Sequence, residues 1–420
     1  MTQHRKKNIS AVLLFGLALT ALVMFYPTDA LAQFEHIVII VQENRTPDNL
    51  FASCDIRGAD AIKPSGGTTL LQSSIKPKHT HPIYLSQFAG QWTTSEKKYV
   101  SDPLIAPYCT LGAKYGFANR MFQTNQGPSL AAHQFVFGGT SIPGSTEKAP
   151  YDDWFVSEDS QGGCMSGDVY QVKIINPQTG SENMGVMPCF ERGTLTDLLE
   201  AKGLTWSYYA ASGGALWDAP LAIQHICGTV RNGECTGSEM QNVKTPSPQV
   251  LTDIANGNLA NVSWVTPAST YSDHPTFGNG GPAWVSSIVN AIGQSAYWKN
   301  TAILITWDDW GGWYDHVAPL TNKTGWCTNY CYGFRVPMLV ISARTPPMAD
   351  NDNHDFGSIL RFVEANFDLS LIGPGTYADA YADDLSEFFQ GAPREFTKIR
   401  ANHDAKYFLT SNDRGDPDDY

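Results

Sequence analysis

Two uninterrupted runs of apolar, largely β-branched residues stand out along the chain: His36-Ile-Val-Ile-Ile-Val41 and Thr301-Ala-Ile-Leu-Ile-Thr306. A strand covered on both faces needs no polar alternation, so both runs predict buried strands of a parallel sheet. Leu204-Thr-Trp-Ser-Tyr-Tyr209 and Val336-Pro-Met-Leu-Val-Ile-Ser342 predict two more. Helical periodicity lies between them. Residues 194–202 read as a helix closed by Gly203, and residues 282–297 place Trp284, Ile288, Ala291 and Ile292 on one face. Residues 356–367 repeat the pattern with Ile359, Leu360, Phe362 and Val363. Strands alternating with helices predict an α/β fold with a mostly parallel central sheet flanked by helices. Residues 55–107 and 140–190 break the alternation. They are polar and weakly periodic, and read as cap-like insertions on the sheet.

Each of the first two strands runs into an acidic pair: Glu43-Asn44 after the first, Asp308-Asp309 after the second. Ligands of open parallel sheets bind at the carboxyl ends of the strands. Taken singly, each pair reads equally well as turn residues. Side by side they gather three carboxylates and an amide oxygen, which repel one another unless a cation or a shared proton intervenes. A divalent metal is therefore expected.

A further segment, Gly127-Pro128-Ser129-Leu-Ala-Ala-His133, opens a helix in which Leu130, Gln134 and Phe137 recur at helical spacing. Ser129 falls in its first turn, at the positive end of the helix dipole, where an alkoxide or phosphate oxygen is stabilised. His133 follows one turn along the same face. The plainer alternative makes Ser129 a helix cap and His133 a surface residue. Other candidates are His274 in Asp273-His274-Pro275, His316 after Asp315, and His354 in Asn353-His354-Asp355. Gly311-Gly312, just past the acidic pair, is read as letting backbone approach a ligand. Trp307, Trp310, Trp313, Tyr314 and Trp326 read chiefly as packing, with a lipid-binding lip as the alternative.

The chain starts with Arg5, Lys6 and Lys7, an uncharged apolar run over 9–26, and Ala30-Leu31-Ala32. Residues 1–32 therefore read as a secretory signal cleaved before Gln33, without a twin arginine. The run is also long enough for an uncleaved anchor, but a core strand beginning at 36 favours cleavage. The expected product is secreted or periplasmic, with a catalytic domain over 33–395, a tail over 396–420, and no stable membrane span after cleavage. All eight cysteines follow the signal, which predicts disulfides. Local closure favours Cys227–Cys235 and Cys327–Cys331, and no C-x-x-C pair supports zinc. The net charge of −13 argues against nucleic acid and against strong docking on anionic lipid, though not against phosphate at a local site.

Over residues 35–368 the chain resembles the bacterial phosphoesterase family that holds phosphatidylcholine-type phospholipases C and related acid phosphatases, within the alkaline-phosphatase-like superfamily. The resemblance is carried in order by Glu43-Asn44-Arg45 with Asp48-Asn49-Leu50-Phe51, by Gly127-Pro128-Ser129, and by Asp273-His274-Pro275. It continues through Asp308-Asp309-Trp310-Gly-Gly-Trp-Tyr-Asp315-His316-Val317-Ala-Pro319, Gly333-Phe-Arg335-Val336-Pro337 through Ser342, and His354 with Ser358 to Glu364. The resemblance implies an alkaline-phosphatase-like sheet and one divalent ion (calcium, magnesium, manganese or zinc) on Glu43, Asn44, Ser129, Asp308 and Asp309. It also implies Ser129 as nucleophile, with His133, His274 and His354 near the phosphate and leaving group; His133, His274 and His316 are the expected substrate-binding residues.

Two departures matter. Ser129 with Ala-Ala-His133 stands where phospholipases usually carry Thr with Pro-Asn-Arg, and Asp309-Trp310 stands where Asp-Glu-His is frequent. The expected function is an exported, metal-dependent phosphoester hydrolase of phospholipase C type acting on a phospholipid or small phosphoester. Acid phosphatase is the runner-up, and a non-catalytic exported protein that binds metal or phosphate is the alternative of another class. A sulfatase-like reading lacks a Cys/Ser-x-Pro-x-Arg stretch at Ser129.

Overall fold

The apolar run at 36–41 becomes the middle of an eight-stranded sheet. In chain order the strands are β1 (His36–Gln42), β2 (Gly116–Ala118), β3 (Trp206–Tyr209), β4 (Val243–Lys244), β5 (Val262–Val265), β6 (Thr301–Trp307), β7 (Met338–Ser342) and β8 (Met348–Asp350). Their order across the sheet is β4-β3-β5-β1-β6-β7-β2-β8. The computed structural model describes residues 34–144, 154–160, 162–212, 216–321, 330, 332–373 and 375–411. Expectations for the signal, for Cys327, Cys331 and Trp326, and for the tail beyond 411 lie outside these residues.

All neighbouring pairs are parallel except those made by β7, which runs against both β6 and β2. No helix among the described residues lies between β6 and β7. A parallel return needs a crossover, and without one the chain turns back antiparallel. Ile37, Val38, Ile39 and Ile40 are fully buried, as are Ile303, Leu304 and Ile305. Each such side chain contributes roughly 1.5–3 kcal/mol of transfer free energy, so these two strands anchor the core. The strongest constraint is register: His36 pairs with Thr301 and each successive residue follows, to Gln42 opposite Trp307.

The principal helices are α1 (Ala106–Lys114), α2 (Ser129–Gly138), α3 (Leu195–Ala201), α4 (Gln249–Asn256), α5 (Gly281–Gly293) and α6 (Phe356–Phe367). They form two groups: α2 packs on α6 and α3, while α1 and α4 pack on α5. Thr194 and Asp197 make a capping box at the start of α3, and Gly139 ends α2 in a left-handed conformation. The expected helix at 282–297 is shorter, because a separate 3-10 turn at Ala296–Asn300 leads into β6.

The insertions are structured. Residues 55–107 hold the strand pair Thr68–Thr69 and Tyr99–Val100 and the helix His81–Phe88, and residues 140–190 hold a three-stranded antiparallel sheet. Cys54–Cys109 ties the first insertion to α1, Cys164–Cys189 closes part of the second, and Cys227–Cys235 pairs as expected. The segment from 396 to 411 is not loose. Ile399 is buried, and Phe408 packs edge-on against Tyr271 and Trp284. No helix among the described residues is long and apolar enough to cross a membrane.

Helix α6 buries Glu364 beside Asp379, where the two carboxyls share a hydrogen bond. Burial, together with the Asp379 charge, pushes Glu364 from 4.5 up to about 8. Across that interval the folded chain keeps a proton that the unfolded chain has released, so stability present at low pH is lost as pH rises toward 8. Thermal unfolding followed from about pH 5 to about pH 8 is expected to show a falling Tm, and Glu364→Gln to flatten the slope. Equal slopes in the two proteins would clear this pair of responsibility.

Candidate active site

Because β1 and β6 are in register, Glu43 and Asp308 leave the sheet side by side, and Asp308 N donates to Gln42 O (2.9 Å). Asn44 then turns back across the pair. Its backbone N donates to Asp308 Oδ1 (2.9 Å), and its Nδ2 lies 3.2 Å from both carboxylate oxygens of Asp309. Asn44 manages this at a φ of 61°, in the left-handed region that Asn tolerates better than most residues. Glu43, Asp308 and Asp309 are all fully buried.

Helix α2 supplies the next members. Ser129 is its first residue and donates from Oγ to Asp309 Oδ2 (3.2 Å). It does not cap its own helix: the amide of Leu130 donates instead to Asp159 Oδ1 (2.8 Å), so a carboxylate already occupies part of that helix terminus. His133, one turn on, places Nε2 3.1 Å from Glu43 Oε1 and stacks on Trp217. Ligand atoms of Glu43, His133 and Asp308 lie within 4.8 Å of one another.

The Ser129 turn is held from outside. Gln123 and Asn125 both donate to Gly127 O, at 3.2 and 2.9 Å, while Gln123 Oε1 accepts from Trp310 N (2.8 Å). One side chain thus ties the start of α2 to the turn that carries Asp309. Trp307, Trp310 and Trp313 are fully buried, which makes them packing rather than a lipid-facing lip.

The structure adds a residue that sequence reasoning passed over. His79, from the first insertion, brings Nε2 to 3.3 Å from Asn44 Nδ2 and 3.9 Å from Asp309 Oδ2. Its segment is fixed by the helix that follows it: Gln87 donates to Gly312 O (2.9 Å) and accepts from Trp310 Nε1 (2.7 Å).

Two histidines expected at the phosphate are committed elsewhere. His354 has Nδ1 2.9 Å from Asp383 and Nε2 3.0 Å from Asp350; burial opposes its charge, but these carboxylates carry it up to about 10. His316 joins an ion network, with Nδ1 2.9 Å from Asp48 and Nε2 3.4 Å from Asp60, crossed by Arg335. His274 is tethered toward the end of β1 through the residue before it. Its neighbour Asp273 accepts a hydrogen bond from Trp307 Nε1 (2.9 Å) and donates from its amide to Gln42 Oε1 (2.9 Å), while the His274 imidazole stacks on Phe277. Burial pushes the Asp273 carboxyl up to about 6, against hydrogen bonds from Tyr108 and Trp307 and the charge of Arg45.

The donor set suits a hard cation. Asp308 Oδ2 and Asn44 Oδ1 are buried and accept no hydrogen bond, although both belong to residues otherwise fixed in place. Buried acceptors left unmatched are costly, and a bound metal satisfies both. The glycine pair has another role than the expected approach to a ligand. A Cβ on Gly311 (φ 61°) would stand 2.2 Å from Asn44 O, and one on Gly312 2.3 Å from Lys78 O. The room these glycines leave is filled by the two loops that deliver Asn44 and His79.

Gly311→Ala is therefore expected to cost at least about 2 kcal/mol in denaturant unfolding, by clash as well as by backbone strain. Gly203→Ala, also at positive φ (74°) but in open space, should cost only about 1 kcal/mol. Comparable losses at the two positions would count against the close approach of Asn44.

Comparison with known proteins bears on this site. Residues 91–370 match the model of the phosphoesterase family. The chain is 24% identical to phospholipase C B of Mycobacterium tuberculosis over 434 residues, covering 89% of this chain and 81% of that protein. It is 25% identical to the non-hemolytic phospholipase C of Burkholderia pseudomallei over 407 residues, covering 81% of this chain and 56% of that one. A solved protein in the alkaline phosphatase superfamily from Vibrio parahaemolyticus aligns with a TM-score of 0.38 at 12% identity, over 88% of this chain and 72% of its own. The family match spans two-thirds of the sequence and includes Ser129, Asp308 and Asp309, and on that ground the chain belongs to the phosphoesterase family, enzymes that hydrolyse phosphoesters.

Proposed function

We propose that this enzyme is an exported phosphoesterase of phospholipase C type, with Ser129 as nucleophile. The observation that carries the reading is the hydrogen bond from Ser129 Oγ to Asp309 Oδ2 inside the buried group of Glu43, Asn44 and Asp308. The names of the relatives support the reaction class. The disulfides and the signal-like residues 1–32 support export.

Phosphoryl transfer needs little covalent help and much positioning. Asp309 orients the Ser129 hydroxyl. Ser129 Oγ gives its proton to Asp309 and attacks phosphorus in line, the bond from phosphorus to the leaving oxygen breaks, and that oxygen takes a proton from a neighbouring acid. His79 is the residue proposed for this proton, because its Nε2 stands 3.9 Å from the Asp309 oxygen that accepts from Ser129. His274 is the second candidate. His133 positions Glu43. Water then attacks phosphorus and gives a proton to the base left on His79, the bond from phosphorus to Ser129 Oγ breaks, and Oγ takes its proton back from Asp309. A divalent ion held by Glu43, Asn44, Ser129, Asp308 and Asp309 would supply Lewis-acid stabilisation of the phosphoryl oxygens.

A second reading, phosphomonoesterase, draws on the full burial of Ser129 and Asp309. A monoester brings one organic group to the site, whereas a diester brings two.

A panel of p-nitrophenyl phosphate and p-nitrophenyl phosphorylcholine, with and without chelator, separates these readings on the chain starting at Gln33. The diester is expected to turn over faster, and chelator to abolish both reactions. A clear preference for the monoester would install the phosphatase reading, and no hydrolysis of either would leave a binding protein. Ser129→Ala should lower kcat/KM at least about a thousand-fold while preserving fold and metal content. His79→Gln should lower kcat more than it raises KM. Asp308→Ala should reduce bound metal by elemental analysis, and undiminished metal would refute its role as a ligand.

A further inference from the structure

Apart from the Ser129 group, two gatherings of carboxylates around a histidine occur among the described residues, and they differ in one respect. Around His316, the guanidinium of Arg335 fills the centre: Nε is 2.8 Å from Asp315, Nη1 2.8 Å from Asp60 and Nη2 3.5 Å from Asp48. Arg120 pairs with Asp60 as well. That group already contains its cations.

The group around His354 holds no lysine or arginine among the described residues. Asp350, Asp383 and Glu387 all face this one imidazole, and their partners among the described residues are His354, Ser358 and backbone amides. Negative charge is left over even when the ring is doubly protonated. Geometry divides the ring. Nδ1 lies 2.9 Å from Asp383 Oδ2, and Asp383 is itself held by the hydroxyl of Ser358 (2.5 Å). Nε2 faces Asp350 Oδ2 at 3.0 Å and Glu387 Oε1 at 3.6 Å. Glu387 Oε1 is buried and accepts no hydrogen bond, while His354 itself is only 1% exposed.

With Nδ1 committed to Asp383, Nε2 faces two carboxylate oxygens at once; a proton on Nε2 serves Asp350 alone, whereas a cation placed there contacts the nitrogen and both oxygens. Asp350, His354 and Glu387 offer one oxygen, one nitrogen and one oxygen within 4.8 Å of one another, a spacing that a cation with ligand bonds of about 2.0–2.2 Å bridges. A carboxylate behind the far ring nitrogen, here Asp383, is the usual support of a metal-bound histidine.

We propose that Asp350, Glu387 and Nε2 of His354 form a second divalent-cation site, separate from the Ser129 group, with Asp383 orienting the ring. One imidazole with two carboxylates suits zinc or manganese better than calcium. The ion joins the end of β8 to the strand at His354–Asp355 and to the turn Ser386–Phe389. Its role is to clamp the sheet edge, and Asp350 and Glu387 are partly exposed, so it loads from solvent.

The test is elemental analysis and thermal unfolding after dialysis against zinc or manganese. The parent is expected to hold two ions, and Glu387→Gln one, with turnover retained. In an Asp308→Ala background, which removes the ion of the Ser129 group, added ion should still raise Tm, and Glu387→Gln should abolish that rise. Should Glu387→Gln fail to fold, Asp350→Asn gives the same readout. Unchanged ion content and an unchanged Tm response in the Glu387 or Asp350 variant would overturn the proposal. Loss of ion in Asp308→Ala alone would support the Ser129 site and overturn this one.

Discussion

The in-register pairing of β1 with β6 is the constraint on which the active site depends. It sets Gln42 opposite Trp307 and so makes Glu43 and Asp308 neighbours. A slip by one residue would turn each side chain to the other face of the sheet, so the buried Ile and Leu side chains of both strands hold the register. Their combined burial amounts to well over about 10 kcal/mol. Burying unmatched carboxylates costs several kcal/mol for each ion. The strands can therefore impose an arrangement that the acidic residues, left to themselves, would avoid.

Ser129 and His79 are brought to that pair by different means. Ser129 comes with the first turn of α2, and Gln123 locks this turn to the Asp309–Trp310 backbone. His79 comes with a loop whose position depends on Gln87 and on the absence of side chains at Gly311 and Gly312. The same acidic turn is thus the meeting point of the strand end, the helix start and the insertion.

That division explains what could be read in advance. The strands, their acidic ends and the opening of α2 are local patterns in which residue type and position coincide. Cys227–Cys235 was legible for the same reason, whereas Cys54–Cys109 links segments that only the fold brings together. His79 stands in a polar stretch with no periodicity, and nothing nearby in sequence says that it folds over Asp309. His316 and His354 were placed at the substrate because a histidine next to an aspartate reads alike in a catalytic site and in an ion network. What separates the cases is a residue distant in sequence: Arg335 for His316, Asp383 and Glu387 for His354. The antiparallel β7 is intermediate: its apolar run shows in the sequence, whereas its direction follows from a connection to β6 that holds no helix among the described residues.

The charge of the site bears on substrate as well as on fold. A phosphoester is an anion, and Glu43, Asp308 and Asp309 present three buried carboxyl groups where the proposed function has it bind. Two like charges about 4 Å apart repel by about 4 kcal/mol at the effective dielectric of such a site. Protonating the carboxyls would relieve the repulsion but would remove the acceptor that orients Ser129. A divalent cation would relieve it and would leave Asp309 free to accept from Ser129. Because one ion then offsets both the repulsion within the folded chain and the repulsion toward substrate, metal occupancy, local stability and phosphoester affinity should change together in variants of these residues, whereas variants of the Gln123 brace should separate turnover from metal binding.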